Sequence, residues 1–270
     1  NLSKLYFKKG DIQSAIDFGE KALTIREKEL GFYNSKTGTS FNNLAWYYYD
    51  LKKYNEALKY AKSAIRIRKK IFGPFDLDVA ESYILLATIY TDFNNYKEAI
   101  KYESKALNIR LIKLGENNYK SGISYANIGY LQEKYGDVKK AIRNYNKALK
   151  IDLLLKGLEN SETGSTFFTI ANLYLGIKDY RKALDLFKKG FQSNKDSGCF
   201  PFGIGNCYEN LNQMKDAIQY YCLSADLRRK SLGLENEATQ SAIQKACRLA
   251  EESNNLKILP DWIKRIINDL

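Results

Sequence analysis

Histidine is absent from the 270 residues, and methionine (one, Met214), tryptophan (two), proline (three) and cysteine (four) are scarce. Without imidazole, no Ser-His-Asp or Cys-His nucleophile pair, no imidazole general base and no histidine-ligated zinc site can be built from this chain. The four cysteines, Cys199, Cys207, Cys222 and Cys247, show no C-x-x-C spacing. They read as small buried thiols rather than a metal site or a disulfide framework, which favours a reducing, cytoplasmic location. No apolar run approaches the roughly 20 residues of a membrane span, and no signal-peptide pattern is visible. Phosphate-cradling and nucleophile-elbow motifs are also missing. Phe202-Gly203-Ile204-Gly205-Asn206 has two glycines, but it lies inside a helix of the repeat described next. No catalytic residue, metal or cofactor is therefore expected, and the chain reads as a non-enzyme.

What is present is a period. Ala15, Ala57, Ala99, Ala141, Ala183 and Ala217 are separated by 42, 42, 42, 42 and 34 residues. Ser3, Ala45, Ala87, Gly129, Ala171, Gly205 and Cys247 keep the same steps, with a final 42. Ile12, Tyr54, Tyr96, Val138, Tyr180, Met214 and Leu256 hold large side chains on the same lattice. Each unit reads as a helical hairpin, for example a first helix over 40–50, a turn at 51–53 and a second helix over 54–71. The small residues let the two backbones approach while Leu44, Tyr48, Leu58 and Ile65 fill the space between. Gly31, Gly73, Gly115, Gly157 and Gly233 stand where second helices end and supply a left-handed C-cap. The fifth unit lacks this glycine, and its second helix is expected to stop near 194–198.

The short unit, with Ile204, Gly205, Tyr208, Ala217, Tyr221 and Ser224, resembles the tetratricopeptide repeat family. The 42-residue units, with Asn42-Asn43-Leu44-Ala45 and Ala64-Ile65-Arg66-Ile67-Arg68-Lys69, are similar to the longer variety of kinesin light chains. The resemblance implies an all-α fold, a right-handed superhelical solenoid of six to seven hairpins. Six units cover 1–236, the first truncated and the fifth short; a degenerate seventh unit and a C-terminal capping helix cover 237–270. Ile258, Leu259, Trp262, Ile263, Ile266, Ile267 and Leu270 form an apolar stripe there, which fits a cap or an interaction helix continuing into a further domain. The chain opens Asn1-Leu2-Ser3 without methionine and reads as a piece of a longer polypeptide.

In this family ligands lie along a concave groove lined by first helices. Carried over by position, the groove residues are Asn42, Asn43, Trp46 and Tyr49, then Ile84 and Thr88, then Asn127, Tyr130 and Glu133. In the fifth and sixth units they are Phe168, Asn172, Phe202, Asn206 and Glu209. Asparagines at Asn43, Asn127, Asn172 and Asn206 suit the backbone of an extended peptide, and the aromatics offer apolar pockets or pack between hairpins. The family's carboxylate clamp is not expected, because Glu81 and Leu85 occupy its third-unit cationic positions.

The formal charge of +12 is unevenly spread. The second-helix segments 51–70, 97–113, 134–150 and 178–195 together carry +19, leaving −7 for the rest. Runs such as Arg66-Ile67-Arg68-Lys69-Lys70 place the excess on the outer face, as a solvated surface or a phosphate or membrane-surface contact. The groove is left neutral to acidic, which favours apolar or basic peptide partners and disfavours nucleic acid. Two functions fit: a scaffold binding a peptide or partner helix in the groove, or a regulatory sensor array attached to an enzyme or transcriptional regulator domain.

Overall fold

The computed structural model describes residues 2–268, which hold fourteen α-helices, one 3₁₀ turn and no strand. The helices alternate in the order that the spacing predicts. They are α1 (Leu2–Lys8) and α2 (Ile12–Leu30), α3 (Ser35–Asp50) and α4 (Tyr54–Phe72), α5 (Leu77–Asp92) and α6 (Tyr96–Leu114), α7 (Tyr119–Tyr135) and α8 (Val138–Lys156). There follow α9 (Ser161–Gly176) and α10 (Tyr180–Ser193), α11 (Cys199–Asn210) and α12 (Met214–Leu232), then α13 (Glu237–Glu252), the 3₁₀ turn Leu256–Ile258 and α14 (Asp261–Asn268). The chain divides into two compact units, Asn1–Ile151 and Asp152–Leu270. That division lies inside α8, away from the 236/237 boundary expected from the repeat.

Local chemistry explains the boundaries. First helices begin earlier than hydrophobic spacing places them, because Asn34, Asp76, Asn118, Asn160 and Asn236 cap them. Each side chain accepts a hydrogen bond, at 2.8–3.0 Å, from the backbone N–H two residues on. The large lattice residues Tyr54, Tyr96, Val138, Tyr180 and Met214 each open a second helix. At its end the terminating glycine differs from the expected left-handed cap. Gly31, Gly73, Gly115 and Gly233 combine φ of 77–89° with ψ near 167–170°. That extended, positive-φ region is open essentially to glycine alone, so the lattice constrains these positions more tightly than an ordinary C-cap would. Inside each hairpin the turn holds one residue at positive φ: Gly10, Lys52, Asn94, Gly136, Lys178, Asn212 or Asn254.

Packing follows volume compensation. Ala45 and Ala57 are fully buried. A Cβ added at Gly129 would meet the Tyr145 ring at 3.0 Å, and one at Gly205 the Tyr221 ring at 2.8 Å. Where a second helix turns a ring inward, the facing first helix is stripped to glycine. In the C-terminal unit Leu259 and Ile263 are buried with Ala217, Ile218, Ala242 and Ile243, so α14 covers the last hairpin. Leu270 and the side chain of Ile267 lie outside the described residues.

Successive hairpins are fastened by an arginine clasp. Arg26, Arg68 and Arg110 occupy one lattice position, and each Nη1 donates to the carbonyl ten residues on and the serine hydroxyl fourteen residues on. For Arg68 these are Asp78 O at 2.7 Å and Ser82 Oγ at 2.6 Å. In the C-terminal unit Arg228 Nη1 reaches Ala238 O at 2.6 Å. At the same lattice position Asp152 reverses the charge and accepts from Thr166 Oγ1 at 3.1 Å and Lys156 Nζ at 2.6 Å. Arg68, Arg110 and Arg228 are buried. Part of the basic run expected on the outer face is therefore interior.

Candidate functional site

The proposed groove residues do not behave as a set. Asn42 belongs to the clasp: it is 9% exposed, and its Oδ1 accepts from Arg68 Nη1 at 3.1 Å and Ser82 Oγ at 3.0 Å. It is committed to joining hairpins and leaves the site. Asn43 and Asn127 share one lattice position while Asn172 and Asn206 share another, so the four amides form no single ladder. Asn172 is exposed and its Nδ2 donates back to Phe168 O of its own helix at 3.0 Å.

In the C-terminal unit the remaining residues are taken up internally. Phe168 packs edge-on against Phe187 and Phe200, with centroids 5.5 Å away in both cases. Phe202 lies against Tyr221 at 5.4 Å, beneath Arg228 at 4.6 Å and near Lys245 at 5.6 Å. Asn206 Oδ1 accepts from Tyr221 Oη at 2.7 Å and Lys245 Nζ at 2.8 Å. Glu209 takes Lys245 at 3.2 Å and also pairs with Arg248. Its carboxyl is held below the ordinary value: burial raises it, but hydrogen bonds from Tyr221 and Arg248 and the Lys245 charge outweigh that. Lys245 and Arg248 of α13 thus occupy the polar groups of Asn206 and Glu209.

The N-terminal unit differs. Trp46 and Tyr49 of α3 meet edge-on at 5.7 Å, both half-buried. Burial and a hydrogen bond to Asp92 of α5 push the Tyr49 phenol up to about 12. Asp92 in turn lines a cleft of about 180 Å³, where Thr88 of α5 and Asn127 and Tyr130 of α7 converge. Tyr130 is 45% exposed and Asn127 is exposed, so both are open to a ligand. The remaining polar wall is Thr91 of α5 and Glu103 of α6, the latter only 2% exposed. Burial pushes its carboxyl above the ordinary value, opposed by hydrogen bonds from Ser124 and Asn127 and by the Arg110 charge. Asn127 Nδ2 approaches Glu103 Oε1 at 3.4 Å.

Asp92 and Glu103 were not among the expected residues. For Glu103 a signal existed: the same second-helix position holds Gly19, Ala61, Tyr145, Phe187 and Tyr221 in the other units. A carboxylate where the lattice takes small or aromatic residues breaks a local rule, and such breaks gather at functional sites. The arrangement offers an aromatic ring with Lys134 Nζ 5.5 Å from its centroid, an amide, the exposed carboxylate of Asp92 and the buried one of Glu103, suited to peptide polar groups. Among the described residues no group of three His, Cys, Asp or Glu side chains is placed to hold a metal. None of the described helices is long and apolar enough to cross a membrane. The cysteines are free: Cys207 and Cys222 are buried with thiols pushed up by burial to about 12, whereas Cys199 is exposed.

Comparison with known proteins agrees with the hairpin lattice. Family profiles described as tetratricopeptide repeat match residues 1–70, 49–112, 78–153, 122–195 and 202–231. Among solved structures, the apo form of RapI is similar with TM-score 0.64 and 19% identity, over 95% of this chain and 75% of that one. A putative kinesin light chain with nearly identical TPR-like repeats, from Podosopora anserina, has TM-score 0.62 and 18% identity, over 70% of this chain and 90% of that one. YrrB, described as a TPR protein with an unusual peptide-binding site, has TM-score 0.58 and 16% identity, over 83% of this chain and 98% of that one. Curated proteins provide no match.

Proposed function

Because the chain belongs to the tetratricopeptide repeat family, we propose that it is a non-enzymatic interaction scaffold that holds a peptide or partner helix on first helices of its N-terminal unit. The observation that carries this is the convergence of Thr88, Asn127 and Tyr130 on one cleft above the buried Glu103. The half-buried Trp46 and Tyr49 extend the surface along α3 through Asp92. Similarity to YrrB, a protein described as having a peptide-binding site, supports a peptide as the occupant. With Asp92 and Glu103 at its wall, the cleft favours a segment carrying a basic or apolar anchor rather than an acidic one.

The test is selection of peptides from a random dodecapeptide phage library on the intact chain, followed by fluorescence anisotropy with the selected peptides. Replacing Thr88, Asn127 and Tyr130 together by alanine should weaken binding at least about tenfold, the scale of a lost anchor cluster. The exposed Asn172→Ala should leave affinity unchanged, and helical circular dichroism should be the same in all variants. Equal affinity of the triple variant and the parent would remove the cleft from consideration.

A further inference from the structure

A second cleft, separate from the first-helix surface, lies between second helices of the N-terminal unit. Its floor is Tyr83 of α5, and it is walled by Lys69 at the end of α4, Pro74 and Phe75 of the following loop, and Lys105 and Asn108 of α6. The volume, about 360 Å³, falls in the range of small-molecule sites. Lys69 Nζ and Lys105 Nζ stand 5.4 Å and 5.5 Å from the Tyr83 ring centroid. Lys105 also lies over the neighbouring Tyr102 ring at 5.2 Å, and no carboxylate lines the cleft to pair with either ammonium group. Phe75, 48% exposed, presents an apolar surface beside them.

The neighbouring units show that the arrangement is particular to this one. At the positions of Lys69 and Lys105 the preceding unit has Glu27 and Ser63, and the following unit has Leu111 and Lys147. Where this unit has Pro74, the following one has Glu116, whose charge acts on Tyr125 beneath the single Lys147. Of these three units, among the described residues, the one with the α4–α6 cleft alone combines two cations, an apolar loop and no acid at these positions.

We propose that this cleft binds a small aromatic anion, a ring bearing a carboxylate or a phosphate. The ring lies against Phe75 and Pro74, its anionic group sits between Lys69 and Lys105, and Asn108 supplies an amide at the rim. Charge complementarity selects the anion, and the volume of about 360 Å³ suits one ring-sized group. The site is independent of peptide binding on the first helices.

Benzoate and phenyl phosphate, titrated into the whole chain and followed by ¹H–¹⁵N correlation spectra, test the proposal. Saturable shifts confined to the amides of Tyr83, Ser104, Lys105 and Asn108 are expected, weakening as salt rises. Lys69→Gln with Lys105→Gln should raise the half-saturation concentration about tenfold, the scale of two lost charge contacts. Lys147→Gln should leave it unchanged, and Lys105→Gln alone should give an intermediate value. Both replaced lysines are exposed and each ring contact contributes at most about 1 kcal/mol, so the double variant should stay folded with a thermal transition lowered by no more than a few degrees. Equal binding of neutral phenol, unsaturable shifts spread over surface lysines, or full affinity in the double variant would each overturn the proposal. A phosphotyrosine heptapeptide should bind no more tightly than phenyl phosphate; tighter binding would reassign the occupant to a protein segment and overturn the small-molecule assignment.

Discussion

Arg66 and Arg68 stand two residues apart in one basic run, yet their replacement by alanine should cost very different amounts of stability. Arg68 is 7% exposed, and its guanidinium donates to Asp78 O, Ser82 Oγ and Asn42 Oδ1 at 2.7, 2.6 and 3.1 Å. Desolvation pulls its pKa down from the ordinary value, against the pull of Asp78, Glu81 and Asp76. Removing it takes the charged donor from three acceptors, leaving Asn42 Oδ1 with Ser82 Oγ alone, and opens a void between hairpins. Hydrogen bonds from a charged donor contribute about 1.5–3 kcal/mol each. Because one group makes all three and Ser82 still serves two of the neutral acceptors, the expected cost of Arg68→Ala is about 2–4 kcal/mol. Arg66 instead lies over the Phe32 ring at 4.5 Å, on an exposed face. Its loss should cost at most about 1 kcal/mol. In urea denaturation followed by far-UV circular dichroism, Arg68→Ala should lower the midpoint by roughly 1–3 M and Arg66→Ala by a few tenths of that. Equal shifts for the two variants would refute the clasp, since they would mean that both arginines serve only as surface charge.

Three further outcomes follow from the geometry. Gly205→Ala brings a methyl to 2.8 Å from the fully buried Tyr221 ring; overpacking of about 1–3 kcal/mol should exceed the ~1 kcal/mol gained in helix propensity. Urea midpoints should then fall, and a Tyr221→Leu background should relieve the alanine, visible as a non-additive double-mutant cycle. Lys52 and Lys178 sit at φ of 58° and 63° where equivalent turns have Gly10 and Gly136, so Lys52→Gly and Lys178→Gly should each add up to about 1 kcal/mol and raise Tm, whereas a lower Tm would contradict the strain. Burial and Asp92 raise Tyr49, and burial and Glu20 raise Tyr60, each to about 12 from an ordinary 10. The unfolded chain therefore loses these protons first, and stability should fall as pH climbs from about 10 to about 12. Urea midpoints between pH 9 and 11.5, with phenolate absorbance followed alongside, check this; a flat profile with all tyrosines titrating near 10 would contradict it.

The hairpins were legible because helix packing writes a period into the chain. Small residues recur where backbones approach, large ones recur where second helices begin, and glycine recurs where only glycine fits the backbone. Two further series were equally visible in principle: the caps at Asn34, Asp76, Asn118, Asn160 and Asn236, and the clasp at Arg26, Arg68 and Arg110. The clasp reads as surface charge because a lysine or arginine in a helical run is ordinarily solvated; only the carbonyl and hydroxyls of the next first helix show that it is buried.

What the sequence determined by itself is the repeat: its length, its register, its helix ends and the family. The tertiary structure decided which lattice positions are free. Asn42 and Asn206 have the residue type and register of ligand-binding amides, but Arg68 and Ser82 engage one, and Lys245 and Tyr221 the other. Thr88, Asn127 and Tyr130 line one cleft because α5, α6 and α7 bring them beside Glu103, a residue from a second helix. Lattice position is set by local spacing along one chain. Availability of a side chain is set by partners 15 to 40 residues away, as the Asn206–Tyr221 and Asn42–Ser82 pairs show, and the period does not encode them.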